Sequence, residues 1–136
     1  MTIATKRATP EEIVRQYYQL LNDKQPERAE PLLAEDVVRI GIDTDDRQPR
    51  ITQGKTQLLE RIRRMTADNV AVVVSNVQAA GDNVTCFVQI ATDTSRREGI
   101  VPLEETAEFL LQDGLIKSYR VVSTPESMAK LKSVMQ

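Results

Sequence analysis

The stretch ITQGKTQLL, residues 51–59, carries the Gly-Lys-Thr that closes a phosphate-binding loop. Such a loop opens on a second glycine five residues before Gly54, freeing backbone amides to face the phosphates. That position is Pro49, which has no amide hydrogen, and the stretch DTDDRQPR stands where a buried strand should lead in. The motif is therefore read as structural, with Gly54 permitting a tight entry into a helix and Lys55 solvated. A second group can bind or polarise an oxygen: the adjacent hydroxyls of Tyr17 and Tyr18. A third is the set of charges within strand-like runs, Arg39 and Arg120, with Asp36, Glu105 and Glu108 able to partner them. Buried guanidinium groups need such partners. One pointing into a cavity would favour a carboxylate or enolate, which it binds bidentately. Histidine is absent, so general acid–base work falls to carboxylates, tyrosine or lysine. With a single cysteine as well, no metal site is expected, and no cofactor.

These side chains need a frame, and the punctuation of the chain supplies one. Thr9-Pro10-Glu11-Glu12 is a helix start with a capping box, and Ile13, Val14, Tyr17, Leu20 and Leu21 follow at helical spacing. Pro26 opens a second, shorter helix that Pro31 keeps irregular. Val37 to Ile42 reads as a strand, and residues 43–50 as an exposed loop. A third helix runs from about Lys55 to Met65, its polar side studded by Arg61, Arg63 and Arg64, read as a solvated face. A valine-rich segment from Asn69 to Ala80 and an alternating one from Val84 to Thr92 flank the turn Gly81-Asp82-Asn83. Cys86 alternates with Val84 and Val88 there, as an inert buried thiol does. Thr94 to Gly99 reads as a polar loop. Leu103 to Leu111 and Leu115 to Val122 pair across Asp113-Gly114, and Thr124-Pro125-Glu126 opens a terminal helix through Met135. Residues 1–8 are expected to be flexible and 9–136 to form one domain.

Composition narrows the partners. A net charge of −2, with 18 basic and 20 acidic residues, offers no field to recruit nucleic acid or an anionic membrane. Aromatic residues make up 4%, too few for base-stacking platforms. A lone cysteine and the absence of an apolar leader point to the cytoplasm.

The order of elements, with LLAEDVVRIG closing the second helix, ITQGKTQLLERI opening the third and FLLQDGLIKSYRVV forming the last hairpin, resembles the nuclear transport factor 2-like superfamily. Within it the chain is most similar to the ketosteroid isomerase and SnoaL-type polyketide cyclase branch, over roughly residues 10–124. The resemblance implies an α+β fold: a cone-shaped, curved antiparallel sheet wrapped around three N-terminal helices, plus a short C-terminal helix. It also implies a mostly apolar pocket inside the cone and homodimerisation through the outer sheet face. In the isomerase branch a tyrosine and a protonated aspartate bind the oxyanion while a second aspartate moves the proton. Carried over, the tyrosine falls on Tyr17, the base on Gly41 and the oxyanion acid on Thr106 or Ala107. Two of those three positions lack a carboxyl group, and the cyclase branch uses histidine and aspartate pairs. Asp43, two residues beyond Gly41, is the nearest replacement.

The expected function is therefore binding of a small hydrophobic or weakly acidic molecule. Tyr17, Tyr18, Arg39, Asp43, Glu105, Thr106 and Arg120 are the candidate pocket residues. One alternative is an isomerase, dehydratase or cyclase with a non-standard catalytic set. Another is a non-catalytic interaction module whose sheet face pairs through Val72 or Val73.

Overall fold

A computed structural model describes residues 8–42 and 48–134. Helix α1 spans Pro10–Asn22. Its start is the expected capping box: Thr9 Oγ1 accepts from the Glu12 amide at 3.1 Å, and Glu12 Oε1 accepts from the Thr9 amide at 3.2 Å. One face of α1, built on Val14, Tyr17, Tyr18 and Leu21, is buried. Each such side chain removed from water contributes roughly 1.5–3 kcal/mol. Pro26–Leu32 then forms a 3-10 helix, because Pro31 cannot donate the amide hydrogen that an α-helix needs.

Strand β1 (Leu33–Ile42) pairs antiparallel with the short β2 (Arg50–Gln53), which begins at the last residue of the expected exposed loop. Gly54 follows at φ 88°, a left-handed conformation that glycine adopts freely, and turns the chain into α2 (Lys55–Ala67). A meander comes next: β3 (Ala71–Ala80), β4 (Asn83–Ala91), β5 (Leu103–Gln112) and β6 (Leu115–Ser123). Between β4 and β5 the segment expected as a polar loop contains a short helix, α3 (Asp93–Arg97). Thr92 caps it by accepting from the Ser95 amide. Helix α4 (Pro125–Val134) ends the described chain, and Met135 lies outside the described residues.

The α+β architecture expected from the resemblance is present: six strands in the order β2-β1-β6-β5-β4-β3, with helices on the inner face. One pairing differs from a wholly antiparallel sheet. β1 runs parallel to β6, because the chain leaves β1, passes through α2 and the meander, and returns in the same direction. Irregular register at Ser75/Gln78 of β3, and opposite Leu110/Leu111 at Lys117 of β6, marks bulges in β3 and β6, which bend strands and increase twist. The concave face collects Val84, Val88, Phe109, Ile116 and Val121 against Val14, Leu21, Leu58 and Ile62 of the helices. Among the described residues no helix is long and apolar enough to cross a membrane.

Candidate functional site

Alternation along each strand decides which side chains enter the cone. In β1, Val37, Arg39 and Gly41 face inward; in β5, Glu105, Ala107 and Phe109 do; in β6, Tyr119, Val121 and Ser123 do. Of these, Arg39, Glu105, Tyr119, Val121 and Ser123, with the inner faces of α1 and α2, line a cavity of about 250 Å³. Arg50 from β2 and Leu131 from α4 also reach its wall.

One side of the cavity is aromatic. The Tyr17 and Tyr119 hydroxyls share a hydrogen bond of 2.6 Å, and their rings meet edge to face at 5.6 Å. Tyr119 in turn stacks on Phe109 with centroids 4.6 Å apart, which fixes its ring. Burial and then Tyr119 hold the Tyr17 hydroxyl well above its ordinary pKa, so it stays protonated. Tyr18 is 5% exposed, and among the described residues its hydroxyl is the one buried side-chain polar atom lacking a hydrogen-bond partner. Burial, followed by the charge of Glu105, raises its pKa as well.

The same wall also carries cations. Arg39 is 6% exposed, its guanidinium carbon 5.8 Å from the centre of the Tyr119 ring, within cation–π range. Arg61 also lines the cavity, from α2, between the apolar positions Leu58 and Met65. Burial first, and then the Arg39 guanidinium, lower the Arg61 pKa, while Tyr119, Tyr17 and Glu105 oppose that shift. Among the described residues the cavity wall thus carries three guanidinium groups, from Arg39, Arg50 and Arg61, and one carboxylate, Glu105.

Gly41 explains how Arg39 fits. A Cβ there would lie 2.7 Å from Arg39 Nη1. The space beside position 41, where the resemblance places a proton-moving carboxylate, is filled in this chain by a guanidinium. Ala107, the inward member of the pair aligned with the oxyanion acid, has no polar group, and the carboxylate present on that face is Glu105, two residues earlier.

Of the residues expected from sequence, the fold brings Tyr17, Tyr18, Arg39 and Glu105 together. Thr106 and Arg120 are corrected to the outer sheet face, where both line a shallow groove beside Glu108, because odd and even positions of β5 and β6 point to opposite sides. Asp43 lies outside the described residues. Asp36 pairs with Lys117 rather than with either arginine. Lys55 is not solvated: its ammonium lies 3.2 Å from Glu35 Oε1 and 3.9 Å from Glu30 Oε1. Arg61 is half-buried on the cavity rather than on the solvated face expected for it, whereas Arg63, which forks onto Glu27 at 2.6 and 2.9 Å, and Arg64 are exposed as expected. The signal for Arg61 was present: it is three residues after Leu58 and four before Met65, the spacing of the buried stripe. Among the described residues no group of acidic or sulfur side chains is arranged to hold a metal ion.

Residues 14–119 match the SnoaL-like domain family. The chain belongs to that family. No curated protein sequence matches this SnoaL-like chain. Among solved structures it is similar to an NTF2-like protein of unknown function from Cytophaga hutchinsonii, with TM-score 0.73, 17% identity, and 98% of this chain and 100% of that one covered. It is also similar to a candidate ketosteroid isomerase from Kribbella flavida, with TM-score 0.67, 20% identity, and coverage of 85% and 77%. A third is SalBIII, an epoxide hydrolase/cyclase-like enzyme with a role in pyran ring formation in the polyether salinomycin, with TM-score 0.67, 18% identity, and coverage of 87% and 92%. At these identities the likeness establishes the fold and leaves the chemistry to the site itself.

Proposed function

We propose that this SnoaL-like protein binds a small, mostly apolar organic molecule inside the cone, and does so as a homodimer paired through the outer sheet face. The observation that carries the reading is the cavity itself. Its wall combines aliphatic side chains such as Leu21, Ile62, Met65 and Val121 with a few convergent polar groups, the composition of small-molecule sites. A volume of about 250 Å³ lies just below the roughly 300–1,000 Å³ usual for such sites, which favours a one- or two-ring molecule over a four-ring steroid. The single buried thiol is in keeping with a reducing, cytoplasmic setting.

Isothermal titration with a panel of one- and two-ring compounds, short fatty acids and a steroid tests the reading. Saturable one-site binding of a small-ring or short-chain compound, blocked by Val121→Trp, is the expected outcome. Absence of heat across the whole panel would refute it.

A second reading, catalysis of isomerisation, dehydration or cyclisation, has one observation in its favour. Glu105 shares the cavity with the hydrogen-bonded Tyr17–Tyr119 pair, so a carboxylate and a phenol donor face the same space. Chemical change of a bound panel member, lost in Glu105→Gln, would favour it over binding alone.

A further inference from the structure

Arg61 is the cavity group whose chemistry the fold leaves unused. It projects from α2 into the cavity beside Ile62 and Met65. Among the described residues no carboxylate or carbonyl accepts from its guanidinium; the charges it feels are those of Arg39, which repels it, and of the two tyrosines and Glu105. Its neighbours on the same helix behave otherwise, Arg63 being satisfied by Glu27. A guanidinium half-removed from water, with a second guanidinium nearby, gains most from an oxyanion that presents two acceptors in one plane.

The cavity wall holds a second such group. The Tyr18 hydroxyl is fully enclosed and has no partner, a state that costs a buried donor about 1–3 kcal/mol of desolvation. Two separate elements, α1 and α2, therefore each bring to the cavity wall a residue whose polar group has no acceptor among the described residues. The wall also limits the charge of the occupant. Glu105 lines the same cavity and the remaining surface is largely aliphatic and aromatic, which disfavours a doubly charged phosphate.

We propose that the molecule held in the cone is an organic monocarboxylate, with its carboxylate on Arg61 and its apolar body against α1 and the sheet. This deepens the proposed function and rests on the cavity being a binding site. It makes Arg61 the determinant of ligand class, a role separate from that of the oxyanion-binding tyrosine which the family resemblance supplies.

The test uses one skeleton in three forms: 2-naphthoate, 2-naphthamide and 2-naphthylmethanol, titrated into the full-length protein. Wild type is expected to bind the carboxylate about 10- to 100-fold more tightly than the amide or alcohol, the range of one charge-assisted hydrogen-bonded pair. Arg61→Met keeps the apolar stem but removes the charge. It should erase that preference while leaving affinity for the two neutral forms within a few-fold. Arg61→Lys, which retains charge without the fork, should restore part of it. Circular dichroism and thermal unfolding confirm that each variant is folded, and a variant that merely loosens the fold would weaken all three ligands together. Equal binding of the three forms by wild type would overturn the carboxylate assignment and leave the cavity reading standing. Binding of none, with another member of the wider panel still bound, would overturn the carboxylate assignment alone, and silence across that whole panel would overturn both. Displacement of 2-naphthoate by inorganic phosphate would also count against it, since a wall that holds Glu105 among aliphatic and aromatic groups disfavours a dianion.

Discussion

Cys86 sits on the inner face of β4 between Val84 and Val88. Burial, and then the negative charge of Glu105, push its thiol up to about 11, with Arg15 opposing. In the unfolded chain the thiol titrates near its ordinary value of about 8.5. Below that pH both states are protonated and the group is neutral in its effect. Above it the unfolded chain releases its proton while the folded one keeps it, so stability falls as pH rises toward 11. Wild type is expected to lose on the order of 2 kcal/mol between pH 8.5 and 11 from this residue, and Cys86→Ala to show a shallower decline in urea titrations across that window. Parallel curves for the two proteins would refute the assignment. The thiol should also resist alkylation at neutral pH. This inertness was legible in the alternation of Val84, Cys86 and Val88. The position of Arg61 was legible too, in the helical stripe, but its charge argued for solvent. The composition of a single helix does not show that a cavity waits across from it.

At the scale of elements, the ends of helices and the hairpins were readable because local chemistry fixes them: the Thr9–Glu12 box, Gly54 at φ 88°, Asp113 and Gly114 both at positive φ in the β5–β6 turn. The parallel pairing of β1 with β6 was not readable, since it depends on where two strands distant in sequence meet. Likewise β2 consists of four residues, three of them exposed, and carries almost no periodic signal. One long-range device is equally silent in sequence. β3 is an edge strand, and Asn22 at the end of α1 treats it as though it were a neighbouring strand. Its amide donates to the Val72 carbonyl at 2.8 Å and its oxygen accepts from the Val72 amide at 2.6 Å. This anchors the edge of the sheet to the helix and blocks further strand addition there. Asn22→Ala is expected to cost about 1–3 kcal/mol, because both backbone groups are part-buried and lose their partner. In hydrogen exchange the Val72 amide should be the first of β3 to lose protection. Unchanged protection at Val72 would show that the side chain is dispensable.

The whole molecule presents two faces of one sheet, and they differ in character. The inner face forms the cone. The outer face exposes Val73 (59%) and Leu110, with a groove lined by Phe87, Thr106 and Val122 between them and the charged Glu108 and Arg120. A cross-strand row places Val73 opposite Gln89, whose side chain donates to Glu104 at 3.0 Å. The sequence offered Val72 and Val73 as equivalent interface residues, and the fold separates them. Val72 is 5% exposed and packs in the core, so Val72→Glu would unfold the chain rather than report on association. Val73→Glu leaves the core intact and adds a carboxylate to the row that already holds Glu104. In a two-fold dimer the same patch is met by its own copy, so one substitution introduces the repulsion twice. Wild type is therefore expected to sediment as a dimer, and Val73→Glu as a monomer with an unchanged far-ultraviolet spectrum. If 2-naphthoate binds the monomeric variant as tightly as the dimer, the cone is complete within one chain. A monomeric wild type, or a dimer indifferent to Val73→Glu, would remove the outer face as the pairing surface.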